Sequence, residues 1–377
     1  MRKQTLRRAL GALLSFAGLV VPAHAAEAPQ TVFVGTYTDK ESRGIYRFRF
    51  DDATGALTPD GLAAETENPS FLTSDPKGRF VFAVNENDPA GGVSAFAVAP
   101  QTGALTLLNK EASGGGSPCH LTLDHTGRFL LIANYGGSAA VLPVGPDGRL
   151  SPAVARIAPE GRGPKSNQDG SHVHGVYLDP ANRLLLVPDL GIDKVLLFGF
   201  DEKSGRLTAG NPPAAALAPG AGPRHLALSP DHRFVYVVNE NDSTITTFAF
   251  DAERGRLDAR GTLSTLPDGF PGQNTTAEIA VHASGRFVYA SNRGHDSIAV
   301  FAVDASTGAL RRVDVAPVGG REPRHFAIAP SGRWLLAAHQ KSDTIAVFRL
   351  DPATGRLTAA GTPVKAPRPV DILFLPR

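Results

Sequence analysis

A unit of about fifty residues recurs along this chain, and that recurrence restricts the fold more than any other feature. Its clearest copy runs from Pro223 to Leu257, PRHLALSPDHRFVYVVNENDSTITTFAFDAERGRL. An alternating run (His225 to Ser229) is followed by a Pro-Asp-His-Arg turn, then a β-rich run from Phe234 to Asn239. A polar turn leads to a second β-rich run, Thr244 to Phe250, and Gly-Arg-Leu opens a fourth. Period-two alternation with Pro, Asp and Gly punctuation marks short antiparallel strands. Four such strands per unit form one blade of a β-propeller, and a blade cannot bury its faces alone.

Seven strands ending in a polar cluster align: Thr31–Tyr37, Phe80–Glu86, Phe129–Tyr135, Leu184–Leu190, Phe234–Glu240, Phe287–Arg293 and Trp334–Gln340. The turn after each following strand reaches Leu57, Leu105, Leu150, Leu207, Leu257, Leu310 and Leu357, with gaps of 48, 45, 57, 50, 53 and 47 residues. Six copies are preceded by an inner strand, beginning near Pro69, Pro118, His174, Pro223, Glu278 and Pro323, and the first copy lacks one. The chain ends in Pro369–Phe374, an inner-strand pattern with nothing after it. The expected fold is all-β: a seven-bladed propeller of four-stranded antiparallel blades. Its C-terminal strand joins the N-terminal blade and closes the ring, removing exposed edges.

The first residues belong to another regime. Arg2, Lys3, Arg7 and Arg8 precede an apolar run from Ala9 to Val21, and Ala23-His24-Ala25 is a small-x-small site. Residues 1–26 therefore read as a secretory signal peptide and 27–377 as the propeller, with a periplasmic or secreted location expected. The apolar run is shorter than a spanning helix requires, so no membrane association is expected once the leader is cleaved. Arg7-Arg8 leaves twin-arginine export open beside the general route. Without the leader's four basic residues the balance is 34 Lys and Arg against 36 Asp and Glu, a formal charge of −2. That balance gives no footing for a nucleic-acid partner. Cys119 is the only cysteine, which excludes an intrachain disulfide.

Strand parity sorts the remaining residues between two faces. With strands lettered a to d from the channel outward, the start of every a and the end of every b share one rim. The Gly-Arg pairs 78–79, 127–128, 285–286 and 332–333 recur at the opposite rim and read as turn chemistry. Residues that break the repeat gather on the first rim. His120, His174, Arg224, Glu278 and Arg324 start a-strands, while Asn85-Glu86, Asn134-Tyr135, Asp189, Asn239-Glu240, Asn292-Arg293 and Gln340 end b-strands. The long loops Ala158 to Ser171 and Thr265 to Thr276 open there too. A mouth mixing carboxylate, imidazole and guanidinium suits a small anionic or polyhydroxylated ligand. Bland alternatives stand beside this: His172 caps a long loop, Asn-Glu is a turn former, and the arginines anchor neighbouring blades.

Other chemistries lack their signatures. No Gly-x-Ser-x-Gly elbow, P-loop or dinucleotide fingerprint follows a strand. Only the His172/His174 pair leaves a metal open, and the expectation is a site without metal or cofactor. The Trp-Asp dipeptide of interaction propellers is missing, since the only tryptophan, Trp334, is followed by Leu335.

The stretches Ser171-His172-Val173-His174, Gly222-Pro223-Arg224-His225, Val238-Asn239-Glu240 and Ser291-Asn292-Arg293, with the repeated Asp-x-x-Thr-Gly-x-Leu turns, carry a resemblance across nearly the whole chain after the leader. It resembles the seven-bladed propeller lactonases, the bacterial propeller-type 6-phosphogluconolactonases, which are similar in turn to the fungal carboxymuconate-lactonising enzymes. The resemblance implies hydrolysis of a sugar-acid lactone, phosphorylated or not, with His174, Glu240, Arg224 and Arg293 as the catalytic set. His120, Asn134, Glu278 and Arg324 are the further substrate-binding candidates. Either His174 or Glu240 is the base on this reading. A cytosolic sugar phosphate as substrate sits uneasily with an exported chain. The alternatives are a lactonising isomerase of muconate type and a non-enzymatic periplasmic scaffold.

Overall fold

The computed structural model describes residues 29–377, so the leader expected over 1–26 lies outside the described residues. Seven antiparallel sheets of four or five strands follow one another in chain order, with no helix among the described residues. The fold is the seven-bladed propeller read from the repeat. The b-strands occupy Gln30–Thr36, Phe80–Asn85, Phe129–Asn134, Leu184–Asp189, Phe234–Asn239, Phe287–Arg293 and Trp334–His339. Blades are numbered I to VII in the order of these strands.

Ring closure takes the form that the termini required. The strand Pro369–Phe374 is the innermost of blade I and pairs with Gln30–Thr36, with Val32 opposite Phe374 and Val34 opposite Ile372. Blade VII is the five-stranded exception. Its outer edge is split between Leu357–Ala359 and Val364–Lys365, which both pair with Thr344–Leu350. Two inner strands are shorter than expected, Leu72–Ser74 in blade II and Tyr177–Leu178 in blade IV. In blade IV the partner strand carries Pro188, which has no N–H to offer a ladder.

The apolar interior is divided into seven clusters among the described residues, each lying between adjacent blades. Phe33, Ile45, Leu72, Val81 and Phe96 join blades I and II, for example, and Val34, Phe50, Trp334, Leu336 and Ile372 join VII and I. Every blade therefore depends on two neighbours for burial.

The same interdependence explains the Thr-Gly-x-Leu turn. Each turn glycine sits over the first b-strand residue of the preceding blade: Gly148 on Phe80, Gly205 on Phe129, Gly308 on Phe234, Gly355 on Phe287, and, across the closure, Gly55 on Trp334. A Cβ on Gly308 would lie 2.3 Å from the Phe234 ring, and its φ of +72° is left-handed. Gly308→Ala is expected to lower stability by about 2 kcal/mol or more, from αL strain and overpacking together. Thermal unfolding would read it as a fall in Tm, and an unchanged Tm would remove this account of the turn. On that same rim Arg233 stacks on Phe234 and donates to Ala305 O, and Arg286 stacks on Phe287 and donates to Pro352 O.

Candidate active site

The opposite rim is shaped by a fault in the inner strands. The ladder slips between Pro118 and His120, Pro223 and His225, and Pro323 and His325. In a regular strand neighbouring side chains face opposite ways. The bulge turns both members of Arg224/His225 and Arg324/His325 into one cavity on the axis, which Ser70, Phe71, Glu86, Cys119 and Glu278 also line. The residue nearer the strand start faces the mouth, and the next one plugs the channel below it.

In the mouth, Glu240 holds two arginines. Its Oε2 lies 3.0 Å from Arg224 Nε and 2.9 Å from Arg293 Nη2. Arg224 also donates to Ala277 O at 2.8 Å and Arg293 to Thr276 O at 2.8 Å, so the backbone fixes both forks. Burial pushes the Glu240 carboxyl upward, but Arg293, Arg224 and Arg324 outweigh it and hold the group below its usual range, as an ionised carboxylate. Burial and the neighbouring Arg324 and Arg293 lower Arg224 to about 10, leaving it charged at neutral pH.

His174 enters the same mouth from blade IV and is 4% exposed. Its N–H donates to Pro188 O at 3.0 Å, and its ring rests edge-on against Tyr135 and His225, with Nδ1 3.7 Å from Cys119 Sγ. Burial, then the charge of Arg224, holds its pKa well below 6.5, so the imidazole is neutral. Glu240 is bonded to the arginines rather than to this imidazole. His172 is engaged elsewhere: its ring nitrogens meet Tyr135 O at 2.8 Å and Asp169 at 3.0 Å while it stacks on Tyr135, so it anchors the long loop.

Three of the expected substrate-contact residues are engaged with the protein itself. Asn134 is fully buried, and its Nδ2 donates to Ser113 O and Ser138 Oγ, both at 3.1 Å. It braces a loop and offers nothing to the mouth. His120 lies in the plug, with its ring between Phe71 and Tyr177 and its Nδ1 accepting from Val176 N–H at 3.4 Å. The bulge gives the mouth position in blade III to Cys119 instead. Glu278 is likewise below the mouth, 2.9 Å from His225 Nδ1 and 3.5 Å from His325 Nε2. Burial raises its pKa, and burial together with Glu278 raises that of Asp371, which lies 3.3 Å from His325 Nε2. His225, His325, Asp371 and Phe71 were not among the expected residues. They share one column of the repeat with His120 and Glu278, a signal legible only once that column is set apart from its neighbour.

Arg324 does reach the mouth, its guanidinium 5.3 Å over the Tyr37 ring. Glu86 joins it from blade II, accepting from Tyr37 OH at 2.9 Å and from Ser70 Oγ. Among the described residues no group of three or more His, Cys, Asp or Glu is arranged to hold a metal ion.

Comparison with known proteins bears on this geometry. Residues 31–374 match the family model described as Lactonase, 7-bladed beta-propeller. A Bacillus subtilis protein named 6-phosphogluconolactonase is 36% identical over 344 residues, 91% of this chain and 97% of its own length. A Formosa agariphila protein of the same name is 32% identical over 305 residues, covering 78% of this chain and 85% of that one. Among solved structures, the periplasmic gluconolactonase of Pseudomonas aeruginosa is 37% identical with a TM-score of 0.86, over 92% of this chain and 99% of that chain.

Proposed function

Because the chain belongs to the seven-bladed β-propeller lactonase family and is a lactone hydrolase, we propose that it opens sugar-acid lactones at the mouth formed by His174, Glu240, Arg224 and Arg293. The observation that carries this reading is one carboxylate clamped between two backbone-fixed arginines beside a buried, neutral imidazole. A lactone carbonyl develops negative charge when water attacks, and two guanidiniums sharing a single counter-charge supply a net positive field there. His174 is the base in this scheme. As the water oxygen bonds to the carbonyl carbon, the imidazole takes its proton; the endocyclic C–O bond then breaks and the imidazolium returns the proton to the leaving alkoxide. Glu240, held ionised by its arginines, is engaged with both of them and keeps the forks aligned. A pH-stat assay on δ-gluconolactone tests the reading: acid release well above the uncatalysed rate is expected, and release at the background rate would overturn it.

Export forms part of the proposal. The n-region, apolar run and Ala-His-Ala site support it, as does a relative described as periplasmic. Osmotic-shock fractionation of the native host should recover a protein whose intact mass lacks residues 1–26. A cytosolic protein that retains Met1 would refute this part alone.

A further inference from the structure

The mouth has two halves of different character. On one side Glu240 stands against Arg224 and Arg293, which leaves one unit of positive charge where a carbonyl oxygen would gain negative charge. On the other side, across blades VII, I and II, Arg324 and Glu86 line the same cavity with no ion pair between them.

Both members of this second pair keep hydrogen-bonding capacity that the protein does not use. The Arg324 guanidinium is half-buried over the Tyr37 ring and makes no hydrogen bond or ion pair among the described residues. Glu86 receives Tyr37 OH and Ser70 Oγ at the same oxygen, Oε2, and its Oε1 has no protein partner. Ser70, Glu86 and Arg324 line one cavity with Arg224, so the pair faces the catalytic arginine across the axis. A forked donor and an open carboxylate oxygen line that cavity together, and the Tyr37 ring backs both.

We propose that Arg324, Glu86 and Tyr37 form the subsite for the hydroxylated, uncharged tail of the substrate, so that this enzyme prefers an unphosphorylated sugar-acid lactone to its phosphate ester. The inference rests on the lactonase reading and adds the substrate class. Hydroxyls both donate and accept, and so match Glu86 Oε1 and the Arg324 N–H groups at once. A phosphate dianion only accepts. It would meet the Glu86 carboxylate beside Arg324 on the same cavity, and the two negative charges would repel. The surplus positive charge lies instead at the reacting end.

The test compares δ-gluconolactone with its 6-phospho form by pH-stat, using wild type and Glu86→Gln, and measures gluconate and 6-phosphogluconate binding by calorimetry. Wild-type kcat/KM is expected to be at least about tenfold higher for the unphosphorylated lactone. In Glu86→Gln, of unchanged Tm, that ratio is expected to fall about tenfold, because the charge is removed and an amide donor introduced. A wild-type preference for the phosphorylated lactone, or a ratio that Glu86→Gln does not move, would overturn the proposal. Gluconate binding preferred without turnover of either lactone would instead overturn the hydrolase reading and sustain the subsite.

Discussion

His174→Ala is expected to lower kcat by about 10²- to 10⁴-fold, the range that a positioned general base contributes. The ring is buried, but its contacts are edge-on faces of Tyr135 and His225 and one weak approach to Cys119, so its loss should leave the propeller folded. The pH profile identifies the base. In wild type the imidazole must be neutral to accept a proton, and burial beside Arg224 keeps it so to well below pH 6.5. The acid limb of kcat/KM should therefore fall with a midpoint below 6.5, rather than near the value of a free histidine. In His174→Ala that limb should vanish from the residual rate. If it persists, the titrating base is another group. Glu240→Gln then discriminates, since a limb that belongs to the Glu240 carboxyl would be lost in that variant. Wild-type kcat in His174→Ala would remove His174 from the mechanism.

The sequence made the architecture legible because each level of it repeats. Period-two alternation marked the b-strands to within a residue or two, and the unmatched Pro369–Phe374 segment had one place to go. The candidate site was legible as polar residues gathered on one rim, where His174 and Arg224 start inner strands and Glu240 and Arg293 end b-strands. Depth was not legible. A regular strand would send Arg224 and His225 to opposite faces, and only the bulge after Pro223 brings both to the axis. That bulge is why His120 and Glu278 were expected in the mouth and lie in the plug. Asn134 was misplaced for a different reason. Asn ends the b-strand in four blades; in three it donates to a carbonyl of the adjoining loop, and Asn239 donates to Thr244 and Thr246 of the next strand. The position in the proposed mouth is the next residue, occupied by Tyr37, Glu86, Tyr135, Glu240 and Arg293. Glu86 was obscured because Asn-Glu-Asn occurs twice, once in each half of the mouth, and a recurring triplet reads as turn chemistry.

Deleting Pro369–Arg377 should abolish cooperative folding, although it removes no residue of the proposed catalytic set. The lost strand buries Val370 and Ile372 and packs Phe374 edge-on against Phe50. Full burial of such side chains is worth about 1.5–3 kcal/mol each. Two of them, with the partly buried Phe374, approach the lower end of the about 5–15 kcal/mol that holds a typical domain together. The deletion also strips the partner from Gln30–Thr36, exposing a strand edge whose Val32 and Val34 lie in the core shared with blade VII. Asp371 goes as well, and with it the acceptor for Leu72 N–H at 3.0 Å that tethers blade II. The expected product is aggregated, or soluble without a sharp thermal transition. A circular permutant separates loss of the strand from loss of chain length. With 369–377 placed ahead of residue 29 through a short Gly-Ser linker, the inner strand of blade I becomes a hairpin partner of Gln30–Thr36. The new termini then fall between Arg368 and Pro369. That permutant should recover a cooperative transition and lactone turnover together, since Tyr37 and Arg324 meet across this closure. A truncated chain that melts cooperatively within a few degrees of wild type would show that six blades and an open edge suffice, and the closure would lose its structural role.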